Sequence, residues 1–582
     1  MKRSQPSELR DALNGYRRAI MTVVLLSAVL NVVVLGGSFY MMLIYDSVLV
    51  SHSMPTLVGL FVMVIVVYLF QGLFDLGRTR ILAAIGAGME RNLAPRIQRA
   101  TSELTLRSGR FTGDGLMAMR DLDQVRAFLT SGGPGALIDL PWIVFFLLIL
   151  GLLHFWLGLA GLVGALVLIA LTFWNDRAMT GPTNDLGKAM SLRGAAAENN
   201  LRHVEVLSAL GMRERMRLRW EASNRDFLEV QDRLARDGAF FASISKVLRQ
   251  FLQSAMLTVG ALLVIDGKAS GGVIFASSML FGRALAPVDL AIANWRGFAA
   301  ARTGWARLED LLARIAAPTQ PDVQLPLPSR ELTAEGLVIA PPGSQNPTVQ
   351  GAAFHLTAGE AMGVIGPSGA GKTTLGKALL GLWRPMRGTV RLDGATLDQW
   401  EPERLGQAIG YMPQSVELFE GSIAQNIARF DPSADADAII AAAREAGVHE
   451  MIVQFAKGYD TPVGRDGTEL SAGQRQRIGL ARALYGKPFI VLLDEPNSNL
   501  DQAGEAALEA AIAAVRAGGG IAVVIAHRAS VLAQVSHVLC MRGGKMEAFG
   551  PRDEVLAKIM RPPPKGRPRV SGPAGTDGGE VA

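Results

Sequence analysis

Six apolar stretches fill most of the first half of this chain, and each approaches the about 20 residues that a helix needs to cross a bilayer. A single stretch of this kind fits a buried helix of a soluble protein, but six of them are typical of a membrane domain. The composition agrees, because only 19% of the residues are charged, against roughly a quarter in soluble domains. We place the predicted spans at Ala19–Leu43, Pro55–Leu76, Ala136–Leu153, Phe155–Trp174, Phe251–Ile265 and Val273–Phe298.

Basic residues are distributed unevenly among the segments that connect these spans. Residues 46–54, after the first span, contain neither Lys nor Arg, whereas the long segments 77–135 and 175–246 are basic. The positive-inside rule therefore predicts a multi-pass protein with both termini in the cytoplasm. An N-terminal signal peptide fits less well, because no small-residue cleavage site ends the first stretch and five more spans follow. The basic residues ahead of the first span are Lys2, Arg3, Arg10, Arg17 and Arg18.

The remaining composition excludes several classes of function. The lone cysteine, Cys540, rules out an intramolecular disulfide and a four-cysteine zinc site. The net charge of +6 is mild and is explained by basic cytoplasmic segments, so we expect membrane lipid around the chain and no nucleic-acid partner.

Composition also divides the chain. The segments 77–135 and 175–246 are too long for turns and are expected to continue the spans as helices. Four prolines lie between residues 316 and 330, and a soluble α/β pattern follows them. The predicted parts are a short N-terminus 1–18, a transmembrane domain 19–315, a linker 316–330, an α/β domain 331–560 and a disordered tail 561–582.

A glycine-rich segment in the α/β part matches the phosphate-binding loop at every fixed position. It follows a predicted strand, Ala361–Ile365, and precedes a predicted helix, Thr374–Leu382, so a chance glycine-rich turn is a poor alternative. In such loops, backbone N–H groups surround phosphates at the positive end of a helix dipole. Lys372 is expected to reach the β- and γ-phosphates of a nucleotide, and the Thr373 hydroxyl to ligate Mg²⁺. The expected nucleotide contacts are Gly366, Pro367, Ser368, Gly369, Ala370, Gly371, Lys372, Thr373 and Thr374.

Two adjacent acids follow a second buried-strand pattern, Phe489–Leu493. An acid at the end of a parallel strand can face the phosphate loop, so Asp494 is expected to organise Mg²⁺ and its waters. Glu495 is placed to polarise the water that attacks the γ-phosphate. Two acids after a strand are usually a solvated turn, but the phosphate loop upstream makes that interpretation weaker.

Further segments carry recognisable short patterns, among them residues 470–474 and the positions Gln414, Asp501 and His527. With these patterns the chain resembles the ATP-binding-cassette (ABC) family. Ala472 departs mildly from the usual LSGGQ signature, in which a glycine stands at that position. The resemblance implies nucleotide contacts from this signature, a Q-loop glutamine that also serves the metal, a D-loop aspartate and a switch histidine. These matching positions are Leu470, Ser471, Ala472, Gly473 and Gln474 in the signature, then Gln414, Asp501 and His527.

The chain departs from the cassette pattern in two further places. Residues 339–343 contain no aromatic where one usually stacks on adenine, which predicts modest ATP affinity or a substitute contact. Residues 461–467 keep the glycines but not the glutamates of a stretch that contacts the membrane domain in many exporters.

The resemblance implies a fold class and a mechanism. The fold expected is a six-span α-helical exporter domain of the type IV ABC kind, fused to an α/β P-loop ABC ATPase domain. The chain contains one phosphate loop and one signature, which is the content of a half-transporter. The resemblance therefore implies a homodimer with twelve spans and two ATP sites. Glu495, His527 and Lys372 are the expected catalytic residues, with ATP and Mg²⁺ as cofactors and alternating access as the transport mechanism.

Five segments of the membrane half, 42–49, 120–126, 138–142, 282–288 and 294–297, and the segment 494–501 resemble the type I secretion permease/ATPases of the PrtD kind. That resemblance implies export of unfolded polypeptides with a C-terminal signal, across a bacterial inner membrane of the Gram-negative type. It also implies a periplasmic adaptor and an outer-membrane channel of the TolC kind as partners. With about 18 residues before the first span, no N-terminal peptidase domain is expected.

Two alternatives remain open at this point. A lipid or drug exporter shares the same architecture. A regulatory cassette protein without transport is a different class, and the presence of Lys372, Glu495 and His527 weighs against it.

Within the sixth predicted span, Arg283 and Asp289 are ionisable residues at membrane depth. They are six positions apart, so they do not share a helix face. Either they line a translocation path, or one or both lie near the cytoplasmic interface; the sequence favours neither.

Overall fold

A computed structural model describes residues 8–109, 117–315, 324–464, 467, 469–498, 500–526 and 532–560. These residues divide into two compact units, one within 1–105 and 110–317 and the other within 106–109 and 318–582. Most of the predicted linker 316–330 and the whole predicted tail 561–582 lie outside the described residues, as do the first seven residues of the predicted N-terminus.

The first unit is helical throughout its described part. A five-residue π-helical segment, Ile44–Val48, interrupts the first long helical stretch. The α-helices are α1 Glu8–Asn14, α2 Arg17–Val33, α3 Leu35–Leu43, α4 Leu49–Ser51, α5 Met54–Ser108, α6 Met117–Thr130, α7 Gly133–Asp139, α8 Trp142–Leu153, α9 Phe155–Arg202, α10 Val204–Ala209, α11 Arg213–Ile265, α12 Gly271–Ala293 and α13 Trp295–Arg314.

Within the described residues, five helical stretches are long and apolar enough to cross a membrane, and a bent pair supplies a sixth. In α5 only 6% of the most apolar window is buried inside the unit, whereas in α12 half of it is. Large apolar side chains of α5 such as Phe61, Leu69 and Leu73 are exposed, as expected of a surface that faces lipid. The three longest stretches extend well beyond a bilayer thickness, which agrees with the expectation that spans continue into the polar segments.

The structure corrects the predicted spans in two places. The third predicted span, Ala136–Leu153, is not one straight helix, because α7 and α8 meet at a 45° bend. Pro141 lies at this break, and proline cannot donate the N–H that a continuous helix needs. The sixth predicted span, Val273–Phe298, is too long: α12 ends at Ala293, Asn294 breaks the helix, and α13 begins at Trp295.

Polar contacts hold these breaks in place. Asp139, the last residue of α7, accepts hydrogen bonds from Ser27, from Asn31 at 2.9 Å and from Arg78 at 2.7 Å. The Trp295 indole donates to Asp176 of α9 at 3.2 Å, which fixes the start of α13. Tertiary contacts therefore set where the helices bend.

Ten strands form one sheet among the described residues of the second unit. The spatial order is β5-β4-β1-β2-β10-β9-β3-β8-β7-β6. Neighbouring strands from β9 to β6 in this order run parallel, and the β1, β2, β4, β5 side is mostly antiparallel. The strands are β1 Glu331–Ile339, β2 Val349–Thr357, β3 Ala361–Ile365, β4 Arg387–Leu392, β5 Ala395–Thr396, β6 Ile409–Met412, β7 Ile490–Asp494, β8 Ile521–Ile525, β9 His537–Arg542 and β10 Lys545–Pro551.

The parallel strands form the centre of this unit. Every residue of β7 and β8 is buried, which explains their uninterrupted apolar sequence. Apolar side chains from both sheet faces pack into two clusters with the helices. The α-helices here are α14 Lys372–Leu379, α15 Pro402–Ala408, α16 Ile423–Ile427, α17 Ala436–Glu445, α18 His449–Val453, α19 Ala472–Leu484, α20 Gln502–Ala517 and α21 Arg552–Met560.

The register of the parallel strands decides where a site can form. Met412 of β6 lies opposite Leu493, Asp494 lies opposite Ile525, and Val364 of β3 also lies opposite Ile525. The carboxyl ends of β3, β8, β7 and β6 therefore meet at one edge of the sheet, and the segments that follow them converge there.

Candidate functional site

The glycine-rich loop joins β3 to α14 at this edge of the sheet. Gly366 and Gly371 have φ of +150° and +95°, which side chains with a Cβ rarely adopt. A Cβ on Gly366 would also lie 2.2 Å from the Met541 carbonyl oxygen, and one on Gly371 would lie 2.7 Å from that of Thr348. Glycine is thus required at both positions for the loop to curl at the N-terminus of α14, where N–H groups and the helix dipole favour an anion.

Lys372 is the first residue of α14 and is only 5% exposed. Its Nζ donates hydrogen bonds to the carbonyl oxygens of Gly366 at 2.9 Å and Pro367 at 3.1 Å, so the ammonium lies across its own loop. Burial lowers the pKa of Lys372, while the charges of Glu495 and Asp494 oppose that shift. A nucleotide phosphate would supply the negative charge that this buried cation needs.

Asp494 ends β7 and is 2% exposed. The Thr373 hydroxyl donates to Asp494 Oδ1 at 3.4 Å, which joins the loop to the acidic strand as the sequence predicted. Burial raises the pKa of Asp494; the Thr373 hydrogen bond opposes this shift and the charge of Glu495 reinforces it. A positive charge close to Asp494 would therefore stabilise its ionised carboxylate.

Glu495 follows Asp494 with φ of +50°, an unusual backbone conformation for a residue with a Cβ. Its N–H donates to the Ile525 carbonyl at 2.9 Å, so the end of β8 holds this backbone in place. Gln414, two residues after β6, donates from Nε2 to Glu495 Oε2 at 2.8 Å. Segments after two neighbouring strands thus bring a carboxylate and an amide together beside the loop.

These side chains suit Mg²⁺ bound together with a nucleotide. Hydroxyl, carboxylate and amide oxygens are its usual ligands, and Mg²⁺ usually takes one or two carboxylates plus phosphates from a substrate. Thr373, Asp494 and Gln414 supply those groups at one edge. The described residues contain no cluster of three or more His, Cys, Asp or Glu that could hold a metal ion.

The signature segment forms the start of α19. Ser471 caps this helix: the Gln474 N–H donates to Ser471 Oγ at 3.2 Å, and the Ser471 N–H donates to Gln474 Oε1 at 2.8 Å. Ser471 and Ala472 are exposed. The reciprocal cap keeps the helix N-terminus rigid at the surface of the unit, open to a ligand or another chain.

Asp501, the expected D-loop residue, caps α20. Its Oδ1 accepts the Gly504 N–H at 2.9 Å and pairs with the Arg477 guanidinium of α19. The Gly504 hydrogen bond and then the Arg477 contact lower the pKa of Asp501. The D-loop thereby joins the helix that carries the signature to the segment after the acidic strand.

Sequence reasoning missed Gln476 at this junction. Its side chain is buried, and Nε2 donates to the Pro496 carbonyl and to Ser498 Oγ at 3.4 Å. The signal available was its place one helical turn after Ala472, on a helix leading into the acidic strand. Gln476 couples the signature helix to the residues that follow Glu495.

Three expectations remain predictions. His527 lies outside the described residues, although the end of β8, which precedes it, is at the same sheet edge as Asp494. Residues 339–343, which begin at the last residue of β1, contain no aromatic side chain, so modest ATP affinity or a substitute contact with adenine stays a prediction. Of the glutamate-poor stretch 461–467, residues 465 and 466 are also outside the described residues.

The two ionisable residues of α12 differ in their contacts. Asp289 forms an ion pair of 2.8 Å with Arg249 of α11 and accepts a hydrogen bond from Ser245 at 3.2 Å. Arg283 is half-buried and has no hydrogen bond or ion pair with any described residue. Arg283 and Asp289 therefore do not pair with each other, as their spacing predicted. Asp289 instead pairs with a residue of a neighbouring helix, Arg249 of α11.

Comparison with known proteins follows this division of the chain. A model of the ABC transporter transmembrane region matches residues 20–288, and an ABC transporter model matches residues 349–498. The chain is 48% identical over 551 residues to the type I secretion system ATP-binding protein PrsD of Rhizobium meliloti (strain 1021), across 95% of this chain and 94% of that protein.

More distant relatives have related names. The toxin RTX-I translocation ATP-binding protein of Actinobacillus pleuropneumoniae is 29% identical over 564 residues, across 94% of this chain and 77% of that protein. A solved bacterial Atm1-family ABC exporter with ATP bound has the same fold, with a TM-score of 0.79 at 23% identity, covering 94% of this chain and 96% of that one.

Proposed function

This chain belongs to the ABC transporter family, among the ATP-binding proteins of type I secretion systems, and on that premise we propose that it exports unfolded polypeptides. It binds ATP and is integrated in a membrane. The observation that carries the proposal is the similarity to PrsD over 95% of the chain, spans and ATP site together. The cargo class inferred is a protease, lipase or RTX-like protein with a C-terminal signal.

We infer that each residue of the site has a separate role in ATP hydrolysis. Lys372 exchanges its loop carbonyls for the β- and γ-phosphates, and the loop N–H groups hold the same phosphates. Glu495 takes the proton of the attacking water, and Gln414 orients that carboxylate through their hydrogen bond. His527 completes the set as the switch histidine.

Thr373, Asp494 and Gln414 would hold Mg²⁺. The ion would neutralise negative charge that develops on the phosphates during hydrolysis. The raised pKa of Asp494 supports this assignment, because a carboxylate kept in a buried position is stabilised by a cation beside it.

We further infer that two copies of the chain work as a homodimer. The exposed helix start at Ser471 and Ala472 supports this, since a phosphate bound to the loop of one copy can be closed off by the signature of another. Closure of two cassettes around ATP would then drive alternating access through the long helices α5, α9 and α11.

The same premise gives a location and partners. We place the chain in a bacterial inner membrane with both termini in the cytoplasm, as the distribution of Lys and Arg supports. The partners inferred are a periplasmic adaptor, a TolC-like outer-membrane channel and the secreted polypeptide. These partners are inferred because PrsD is named as the ATP-binding protein of a type I secretion system.

Mass spectrometry of the culture medium tests the proposal. Cells that produce the natural chain are compared with cells that produce Glu495→Gln, with Glu554→Gln, an exposed acid of α21, as the matched control. We expect one or a few proteins to disappear from the medium only with Glu495→Gln, at equal membrane abundance of the three chains. An unchanged medium would contradict polypeptide export and favour a lipid or drug exporter.

A further inference from the structure

Charged side chains in the spanning part of the chain mostly have partners inside the unit. Asp46 accepts hydrogen bonds from Ser270 Oγ and the Gly272 N–H, both at 2.7 Å. Asp139 pairs with Arg78, and Asp289 with Arg249. Such pairing is the rule for ionisable residues at membrane depth, where an isolated charge is expensive.

Arg283 departs from this rule. It is half-buried on α12, the spanning helix most enclosed by the unit, and no described residue forms a hydrogen bond or ion pair with it. At about 1.5 Å per residue it lies about 18 Å along α12 from Gly271, well inside a hydrocarbon core about 30 Å thick. Lipid headgroups at either surface are therefore remote, and the guanidinium needs water or a ligand.

The contacts of α12 one helical turn before Arg283 show which element packs against the side of the helix that carries it. Met279, one turn earlier on the same helix face, packs on α3: a Cβ on Gly37 would lie 3.0 Å from Met279 Cε. The next residue of α3, Ser38, is 2% exposed, and its hydroxyl has no hydrogen-bond partner among the described residues. The opposite side of α12 is apolar, with Phe281 1% exposed and packed against Gly164 of α9.

We propose that Arg283 lines the path of the exported polypeptide and binds its carboxylate side chains. A guanidinium presents five donors that match a carboxylate, and an extended chain that carries Asp or Glu supplies one at any depth of the membrane. Segments rich in Asp and Glu are then the preferred cargo, because no described residue of the unit pairs with the Arg283 cation. This inference rests on the proposed polypeptide export.

Release of the cargo tests the proposal. The protein whose release Glu495→Gln abolishes is quantified in the medium with Arg283→Gln, Arg283→Lys and the control Lys268→Gln, a loop residue paired with Asp266. We expect Arg283→Gln to reduce release about tenfold, the loss of one charge-assisted hydrogen bond. Arg283→Lys, which keeps the charge but not the paired donors, should fall between Arg283→Gln and the natural chain, and Lys268→Gln should stay close to the natural chain. Undiminished release with Arg283→Gln overturns this inference alone, whereas failure to find any protein whose release Glu495→Gln abolishes overturns polypeptide export itself.

If Arg283→Gln fails to accumulate, a labelling measurement tests whether position 283 is accessible from an aqueous path. In a Cys540→Ala chain, Arg283→Cys is treated in membranes with a negatively charged thiol reagent, beside the control Ser277→Cys, a fully buried position of α12. We expect position 283 to be labelled and position 277 to resist. Equal protection at both positions would place Arg283 outside any aqueous path and overturn the proposal.

Discussion

Gln414 donates a hydrogen bond to Glu495 at 2.8 Å, across the ends of neighbouring parallel strands β6 and β7. The bond links the segment after β6, which we assign as the Q-loop, to the carboxylate that we assign as the base for hydrolysis. Two consequences can be measured separately, one for the base and one for its orientation.

The first prediction concerns the base. Glu495→Gln keeps the shape of the side chain but cannot take a proton, so we expect kcat for ATP hydrolysis to fall by about 10²–10⁴-fold. Binding of ATP should persist, because Lys372 and the loop are unchanged. ATPase rates and nucleotide binding of the purified full chain measure both quantities; wild-type turnover in Glu495→Gln would assign the base elsewhere.

The second prediction concerns orientation. Gln414→Ala removes the hydrogen bond to Glu495 and one oxygen that we assign to Mg²⁺, so we expect kcat to fall about tenfold or more. The effect should be smaller than that of Glu495→Gln. Gln407→Ala, an exposed glutamine of α15, is the control and should leave kcat unchanged. If Gln414→Ala and Gln407→Ala give equal rates, the hydrogen bond has no catalytic consequence.

The third prediction concerns the stability of the nucleotide-free chain. Burial raises the pKa of Asp494, so the folded state disfavours the carboxylate. Below the unfolded pKa of about 3.9, Asp494 is protonated in both states and does not oppose folding. As pH rises through the raised folded pKa, the free energy of unfolding falls, because the folded state must hold a buried carboxylate. At pH about 7, Asp494→Asn should therefore raise the melting temperature of the nucleotide-free chain, and the gain should shrink as pH falls.

Thermal unfolding of the full chain without nucleotide, followed at several pH values, checks this result. The exposed Asp398→Asn serves as the control and should change the melting temperature little. A lower melting temperature for Asp494→Asn across the whole pH range would mean that the ionised carboxylate stabilises the fold.

The fourth prediction concerns the base of the nucleotide. Residues 339–348 provide no aromatic side chain, and stacking on an aromatic contributes about 1–3 kcal/mol per base. We expect ATP and GTP to bind with dissociation constants within about tenfold of each other. Competition binding to the full chain measures this ratio, and a strong preference for ATP would reveal a substitute contact with adenine.

The fifth prediction concerns a pair in the first unit. Asp121 of α6 is 2% exposed, and Arg307 of α13 binds it with both a 2.8 Å hydrogen bond from Nε and a second bond from Nη2. Arg307→Gln leaves the buried carboxylate without its cation, which we expect to cost about 2–4 kcal/mol. Asp121→Asn combined with Arg307→Gln should recover part of this loss, measured by thermal unfolding; additive losses would show that the two residues do not interact.

Features that a regular sequence pattern encodes, namely long apolar helices, a buried strand and the phosphate loop, were predicted from the sequence. Apolar segments long enough to cross a bilayer became helices such as α5 and α9, and the apolar run before Asp494 became a buried central strand. The phosphate loop was predicted well because its glycines are demanded by local backbone geometry, as at Gly366. The sequence also predicted that Asp494, at the end of a parallel strand, can face the phosphate loop, and the Thr373 hydroxyl donates a hydrogen bond to it.

Features set by tertiary contacts were not predictable. Pro141 marks the break after Asp139 in the sequence, but the hydrogen bonds that Asp139 accepts from Ser27, Asn31 and Arg78 of two other helices could not be read from it. The sixth span was drawn too long because Trp295 and Phe298 are apolar, although the Trp295 indole is held by Asp176 in a separate helix. Gln476 was missed since a glutamine within a helix gives no sign of burial.

The central claim is that ATP hydrolysis at Glu495 moves polypeptide across a membrane. The most direct measurement uses the full chain in liposomes with its ATP sites outside, and the unfolded protein whose release into the medium depends on Glu495. We predict that ATP makes this polypeptide resistant to added protease with the natural chain, and that it stays fully sensitive with Glu495→Gln. Protection without ATP, or equal protection with Glu495→Gln, would contradict the account.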